Sequence, residues 1–181
     1  MAEEQGKKEE VVANVRDARE EELDQVALLM RDAYQEYRAA FPAGVWEGYL
    51  RDIMDVRSRI GISELIVAEQ MSPEGGGRLV GAVTFYPDAS LSERESWPSG
   101  WAGLRLLAVH PEARGMGIGR VLMDECLRRS RLLAVPTLGL HTTEMMSVAR
   151  GMYERMGFVR VPEFDFHPAP QVVVMAYRLD L

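Results

Sequence analysis

The stretch Leu104–Arg120, LRLLAVHPEARGMGIGR, decides how this chain is read. Leu104, Leu106, Leu107, Ala108 and Val109 make an apolar run of strand length, Pro111 ends it, and Gly115, Gly117 and Gly119 follow at alternate positions. A helix is expected from about Ile118 to Arg131. A buried strand, a glycine-rich turn and a helix N-terminus, in that order, offer a row of backbone N–H groups to a phosphate ester. The spacing excludes two better-known phosphate turns. A P-loop ends in Gly-Lys-Ser/Thr, but Arg120 and Val121 follow Gly119, so the lysine and the magnesium-binding hydroxyl are both missing. A dinucleotide fingerprint would place its third glycine at Arg120 or Leu122. What remains is Arg114-x-x-Gly117-x-Gly119, preceded by Leu107-x-Val109.

A second segment, Glu144–Val161, reads EMMSVARGMYERMGFVRV. Its apolar residues Met145, Val148, Ala149, Met152, Tyr153 and Met156 recur at helical spacing on one face. Gly157 stands where a left-handed C-terminal cap belongs, and Phe158, Val159 and Val161 open a strand. The pattern is Ala149-x-x-x-Tyr153-x-x-x-Gly157-Phe158. In this order, the two motifs resemble the two halves of the acyl-CoA site of the GCN5-related N-acetyltransferases (GNAT), a resemblance that covers roughly residues 11–181.

That resemblance implies a mixed α/β fold. Its mostly antiparallel sheet has about seven strands with flanking helices, and a splayed parallel central pair opens a cleft. It implies acetyl-CoA as cosubstrate, held by Leu107, Ala108, Val109, Arg114, Gly115, Met116, Gly117, Ile118, Gly119 and Arg120. A bulge near Val109 is expected to free a backbone N–H for an oxyanion. Tyr153 matches the family's proton donor to the leaving thiolate. Many relatives carry an asparagine where this chain has Met146, so one polar anchor is missing, and Ser147 or the backbone takes its place.

Acyl transfer also needs a group that takes a proton from the attacking ammonium. Glu144, just after the strand Thr137–His141, is the assigned base. His141, Glu36, Glu47 and a water chain stay as alternatives. The expected reaction is direct attack by a primary amine, small-molecule or peptide, on acetyl-CoA. A non-catalytic acyl-CoA-binding or sensing module is the other reading.

Composition fits this picture. The 181 residues are 47% hydrophobic and carry a formal charge of −7, which disfavours nucleic acid as a bulk partner. The single cysteine, Cys126, excludes an intrachain disulfide, and three scattered histidines show no metal-ligand spacing, so no metal is expected. No apolar run has membrane-spanning length and the first ten residues are charged, so a cytoplasmic protein without membrane partner is expected, and a homodimer is compatible with it.

Residues 1–10 read as a disordered tail and residues 11–181 as a single domain. A strand is expected over Val11–Val15, then a helix opened by an Asp17–Glu20 capping box, its face running from Leu23 to Tyr37. A second helix spans about Val45–Arg59. Strands Glu64–Glu69 and Leu79–Tyr86 form a hairpin across SPEGGG, and Gln171–Leu179 is the last strand. Acceptor choice is expected in Tyr34–Tyr49, the loop Pro87–Trp101 and the turn Glu163–Pro170. There Trp97, Trp101, Phe164 and Phe166 either wall a pocket or cap the core.

Overall fold

A computed structural model describes residues 13–42, 44–71 and 75–181. The expected tail, Val11, Val12 and residues 72–74 of the SPEGGG turn lie outside the described residues. The strands are β1 (Ala13–Asp17), β2 (Glu64–Met71), β3 (Gly77–Tyr86), β4 (Ala102–Val109), β5 (Thr137–Thr143), β6 (Val159–Arg160), β7 (Phe166–Ala169) and β8 (Val172–Asp180). The helices are α1 (Leu23–Tyr34), α2 (Val45–Met54), α3 (Ile118–Leu132) and α4 (Ser147–Arg155). One sheet runs β1-β2-β3-β4-β5-β8-β6, with β7 on β8. Its pairs are antiparallel except β4–β5, which is parallel because α3 crosses between the two.

The middle of the sheet is covered on both faces, which is why β3 is buried without interruption from Leu79 to Tyr86. The α1 stripe Leu23, Val26, Ala27, Met30, Ala33 and Tyr34 packs with Val67, Ala82, Leu106 and Ala108. On the other face Ile118, Leu122, Met123 and Cys126 of α3 pack with Ile66, Ala68, Val80 and Phe85. Burying side chains of this size is worth roughly 1.5–3 kcal/mol each, so the helices are held by their apolar stripes.

Four local expectations are corrected. The box that opens α1 is not Asp17–Glu20: Glu22 accepts a hydrogen bond from the Arg19 N–H at 2.7 Å and an ion pair from Arg16 at 2.7 Å. The Arg16 hydrogen bond holds that carboxyl down at about 2. The helix ends at Tyr34 and the chain tightens into a 3₁₀ turn over Gln35–Ala40, so Tyr37 leaves the α-helical stripe. The second helix likewise stops at Met54, with a separate 3₁₀ turn at Arg57–Arg59. Part of Glu163–Pro170 is an additional strand, β7, beside β8. Pro168 masks it in the sequence and is tolerated because the strand lies off the main path of the sheet.

Candidate active site

Strands β4 and β5 pair only through Ala102–Leu138, Gly103–Gly139 and Leu104–Leu140. Beyond Leu104 and Leu140 they part. On the β3 side, Thr84 pairs with Arg105 and Ala82 with Ala108, so Leu106 and Leu107 together oppose Val83 in a β-bulge. Leu106 takes φ 56°, the left-handed region, at a cost of about 1–2 kcal/mol for a residue with a β-carbon. The expected bulge near Val109 is therefore corrected: Val109 pairs regularly with Gly81, and the distortion lies at Leu106–Leu107, where the fork opens.

The fork leads into a cavity of about 650 Å³. One end is the glycine turn. Gly115 has φ 74° and Gly117, the residue before α3, has φ 81°, a conformation that favours glycine. Nothing lies within 4 Å of where a β-carbon on Gly117 would sit, so the backbone there is open to a ligand. Of the expected cofactor residues, Leu107, Ala108, Val109, Arg114, Gly115, Gly117, Ile118, Gly119 and Arg120 line the cavity. Met116 is not among them, and is exposed at the outside of the turn.

Helix α4 forms the adjoining wall. Tyr153 is buried and lines the cavity, and burial raises its phenol well above the usual tyrosine range, so it holds its proton at neutral pH. Met146, in the place of the relatives' asparagine, and Ser147 both line the cavity. Arg155 joins them, a cation the sequence reading missed although it lies two residues past Tyr153 on the same helix.

The other end is walled by Tyr34, Tyr37, Arg105, Leu106, His141 and Thr142. Burial pushes the Tyr37 phenol up to about 12, with Glu36 adding to the effect. Tyr34 donates to the Leu107 carbonyl at 3.3 Å, joining α1 to the bulge. Arg114 of the glycine turn reaches across to Glu36 at 2.8 Å and to the Ala33 carbonyl at 2.9 Å, a tie between the two ends. Arg105 is a charge inside the apolar strand run, the one signal in the sequence that could have marked it. Burial opposes its charge, but Glu95 and Asp52 outweigh burial and hold the guanidinium protonated.

Glu144 lies in the exposed turn after β5 and is not among the residues lining the cavity. Glu47 accepts the Gly44 N–H at 3.0 Å, a helix-capping contact. His141 lines the cavity. Its Nε2 sits 2.9 Å from the Phe164 carbonyl, which only accepts, and its Nδ1 is buried 3.2 Å from Glu95 without an aligned hydrogen bond. The loop 87–101 and the segment 163–170 contribute no lining residue. Trp97 is buried with Ala89, Val161 and Ala176, with Trp101 and Phe164 against that cluster, while Phe166 packs edge-on to His141 behind the wall.

Residues 30–158 match the acetyltransferase (GNAT) family. The chain belongs to that family. An uncharacterized N-acetyltransferase of Schizosaccharomyces pombe is 30% identical over 82 residues, which take in 45% of this chain and 49% of the relative. The chain thus matches about half the length of that relative. Among solved structures, the PaiA N-acetyltransferase of Thermoplasma acidophilum, in complex with coenzyme A, has a TM-score of 0.68 at 15% identity, over 93% of this chain and 99% of that one. A GNAT family acetyltransferase of Brucella melitensis, in complex with acetyl-CoA, has a TM-score of 0.62 at 20% identity, over 94% and 89%. At these identities the structures establish the shared GNAT fold.

Proposed function

We propose that this GNAT protein binds acetyl-CoA at the glycine turn and transfers the acetyl group to a primary amine by direct attack. The observation that carries the proposal is the convergence on one cavity of the bulged fork, the open backbone at Gly117 and the buried Tyr153. The N–H groups of the glycine turn meet the diphosphate, with Arg114, Arg120 and Arg155 supplying positive charge. A bulge leaves its extra residue outside the strand ladder, so an amide at Leu106–Leu107 meets the oxyanion as the amine adds to the acyl carbon. As the carbon–sulfur bond breaks, Tyr153 gives its proton to the thiolate. The nitrogen sheds its proton to water, and Tyr153 recovers one from the same pool. Glu144, exposed outside the cavity, serves only through solvent, and Glu36, which lines the cavity, is held by Arg114, so water is the first proton acceptor.

Thiol release from acetyl-CoA with a panel of primary amines, against a no-amine control, tests this reading. Release above the control is the expected result. Calorimetric binding of coenzyme A without release for any amine would overturn transfer and leave the sensing-module reading in place.

A further inference from the structure

The buried carboxylate of Glu95 has no part in the chemistry above, yet it sits at the root of the fork. Its side chain is 6% exposed, although it belongs to the loop that precedes β4. Oε1 lies 3.2 Å from Arg105 Nε on β4 and 3.2 Å from His141 Nδ1 on β5. Those are the residues that immediately follow the last paired positions of the two parallel strands, Leu104 and Leu140. Oε2 accepts the Trp97 indole N–H at 2.7 Å. Trp97 in turn stacks on His141 at 4.5 Å and lies over Gly139, where a β-carbon would come within 3.2 Å of the indole ring. Arg105 is gripped from its other side by Asp52 of α2 at 3.0 Å.

One carboxylate therefore reaches both arms of the fork: β4 directly through Arg105, and β5 through the Trp97 indole that it holds against His141 and Gly139. Desolvating it is unfavourable unless it is paired, and the Arg105 guanidinium and the Trp97 N–H supply the pairing. Arg105 and His141 line the cavity while Glu95 and Trp97 do not, so Glu95 can act on a bound acceptor only through those two side chains. Beside them, Thr142 also lines the cavity, and its buried hydroxyl has no hydrogen-bond partner among the described residues.

We infer that Glu95 is a positioning residue for the acceptor amine: by holding Arg105 directly and His141 through the stacked Trp97, it fixes the wall against which the amine is oriented. The inference rests on the transferase reading and deepens it. It assigns acceptor orientation to a residue outside the cavity and leaves acyl-CoA binding to the opposite end.

Glu95→Ala and the isosteric Glu95→Gln, made in the full chain, test it. Glu95→Ala should raise KM for the best amine about tenfold or more, as expected for loss of a buried charged contact. Glu95→Gln should give a smaller rise, because its amide oxygen still accepts from Trp97. Coenzyme A affinity, by calorimetry, should stay within about twofold in both. A folded Glu95→Ala protein with the wild-type amine KM would overturn the inference, and so would coenzyme A affinity and amine KM worsening in step. If Glu95→Ala fails to fold, an unchanged amine KM in Glu95→Gln overturns it equally.

Hydrogen exchange supplies a readout that needs no turnover. In Glu95→Gln, exchange should rise across residues 87–101 and at Leu106 and Thr142 and stay at the wild-type level across 114–120. Unchanged exchange in that loop would sink the tie itself. Failure of the transferase reading shows separately, as a wild-type protein that releases no thiol with any amine.

Discussion

The two ends of the cleft are made of different materials. The glycine-turn end is backbone: its key feature is a turn whose φ values of 74° and 81° at Gly115 and Gly117 open main-chain N–H groups to a ligand. The fork end is side chain. Asp52, Glu95, Arg105 and His141 come from α2, a loop, β4 and β5 and meet as ion pairs and stacked rings. A backbone site needs only the right spacing of glycines along one stretch of chain, whereas a side-chain cluster needs several remote segments placed together. Recognition of a shared diphosphate belongs naturally to the first, and choice among acceptors to the second.

Perturbing the turn should damage only one end. Gly117→Val forces a β-branched residue to φ 81° and should lower coenzyme A affinity on the order of 10²-fold, through loss of several phosphate contacts. Calorimetry reads this directly, with thermal unfolding lowered by about a few degrees through the strain at that φ. Wild-type affinity would move the diphosphate elsewhere and dissolve the contrast.

Tyr153→Phe separates chemistry from binding. Turnover should fall about 10²-fold with coenzyme A affinity held, since only the proton donated to sulfur is removed. Unchanged turnover with a good amine would make Tyr153 a packing residue.

Arg114 spans the two ends. Arg114→Ala should weaken coenzyme A about tenfold at low salt, the loss of one charge-assisted phosphate contact. Affinity equal to wild type at low salt would mean that the Glu36 and Ala33 contacts are its whole purpose.

Trp97→Phe removes the indole N–H that Glu95 accepts but keeps a ring against His141. A rise of about threefold in amine KM, with coenzyme A binding unaffected, is expected. A matching loss at both ends would erase the division between them.

Glu36→Gln is the mildest probe. The Arg114–Glu36 pair is half-exposed and so contributes only about 0–1 kcal/mol. Releasing Arg114 from it should tighten coenzyme A by about twofold to threefold, and weaker binding would show instead that Glu36 orients the arginine for the phosphate.

The glycine-turn end was legible in the chain as spacing. Strand, turn and helix of that end are consecutive, and the demands on Gly115, Gly117 and the apolar face of α4 are local, written as spacing along one segment. Helical periodicity put Tyr153 on the apolar face of α4, and the family resemblance placed it at the site. The parting of β4 and β5 came only through the family resemblance. The bulge was then misplaced near Val109, because register depends on the partner strand and Val83 lies far away in sequence. Tertiary structure alone decided the other end. Nothing near Glu95 in the chain marks it, since its partners Arg105 and His141 are brought to it by the pairing of two parallel strands. The tertiary structure likewise put Glu144 outside the cavity and, of the two readings of Trp97, Trp101, Phe164 and Phe166, chose packing behind the wall over the wall itself. A residue's type limits what it can do, but which charges share a buried space is set by packing between segments remote in sequence.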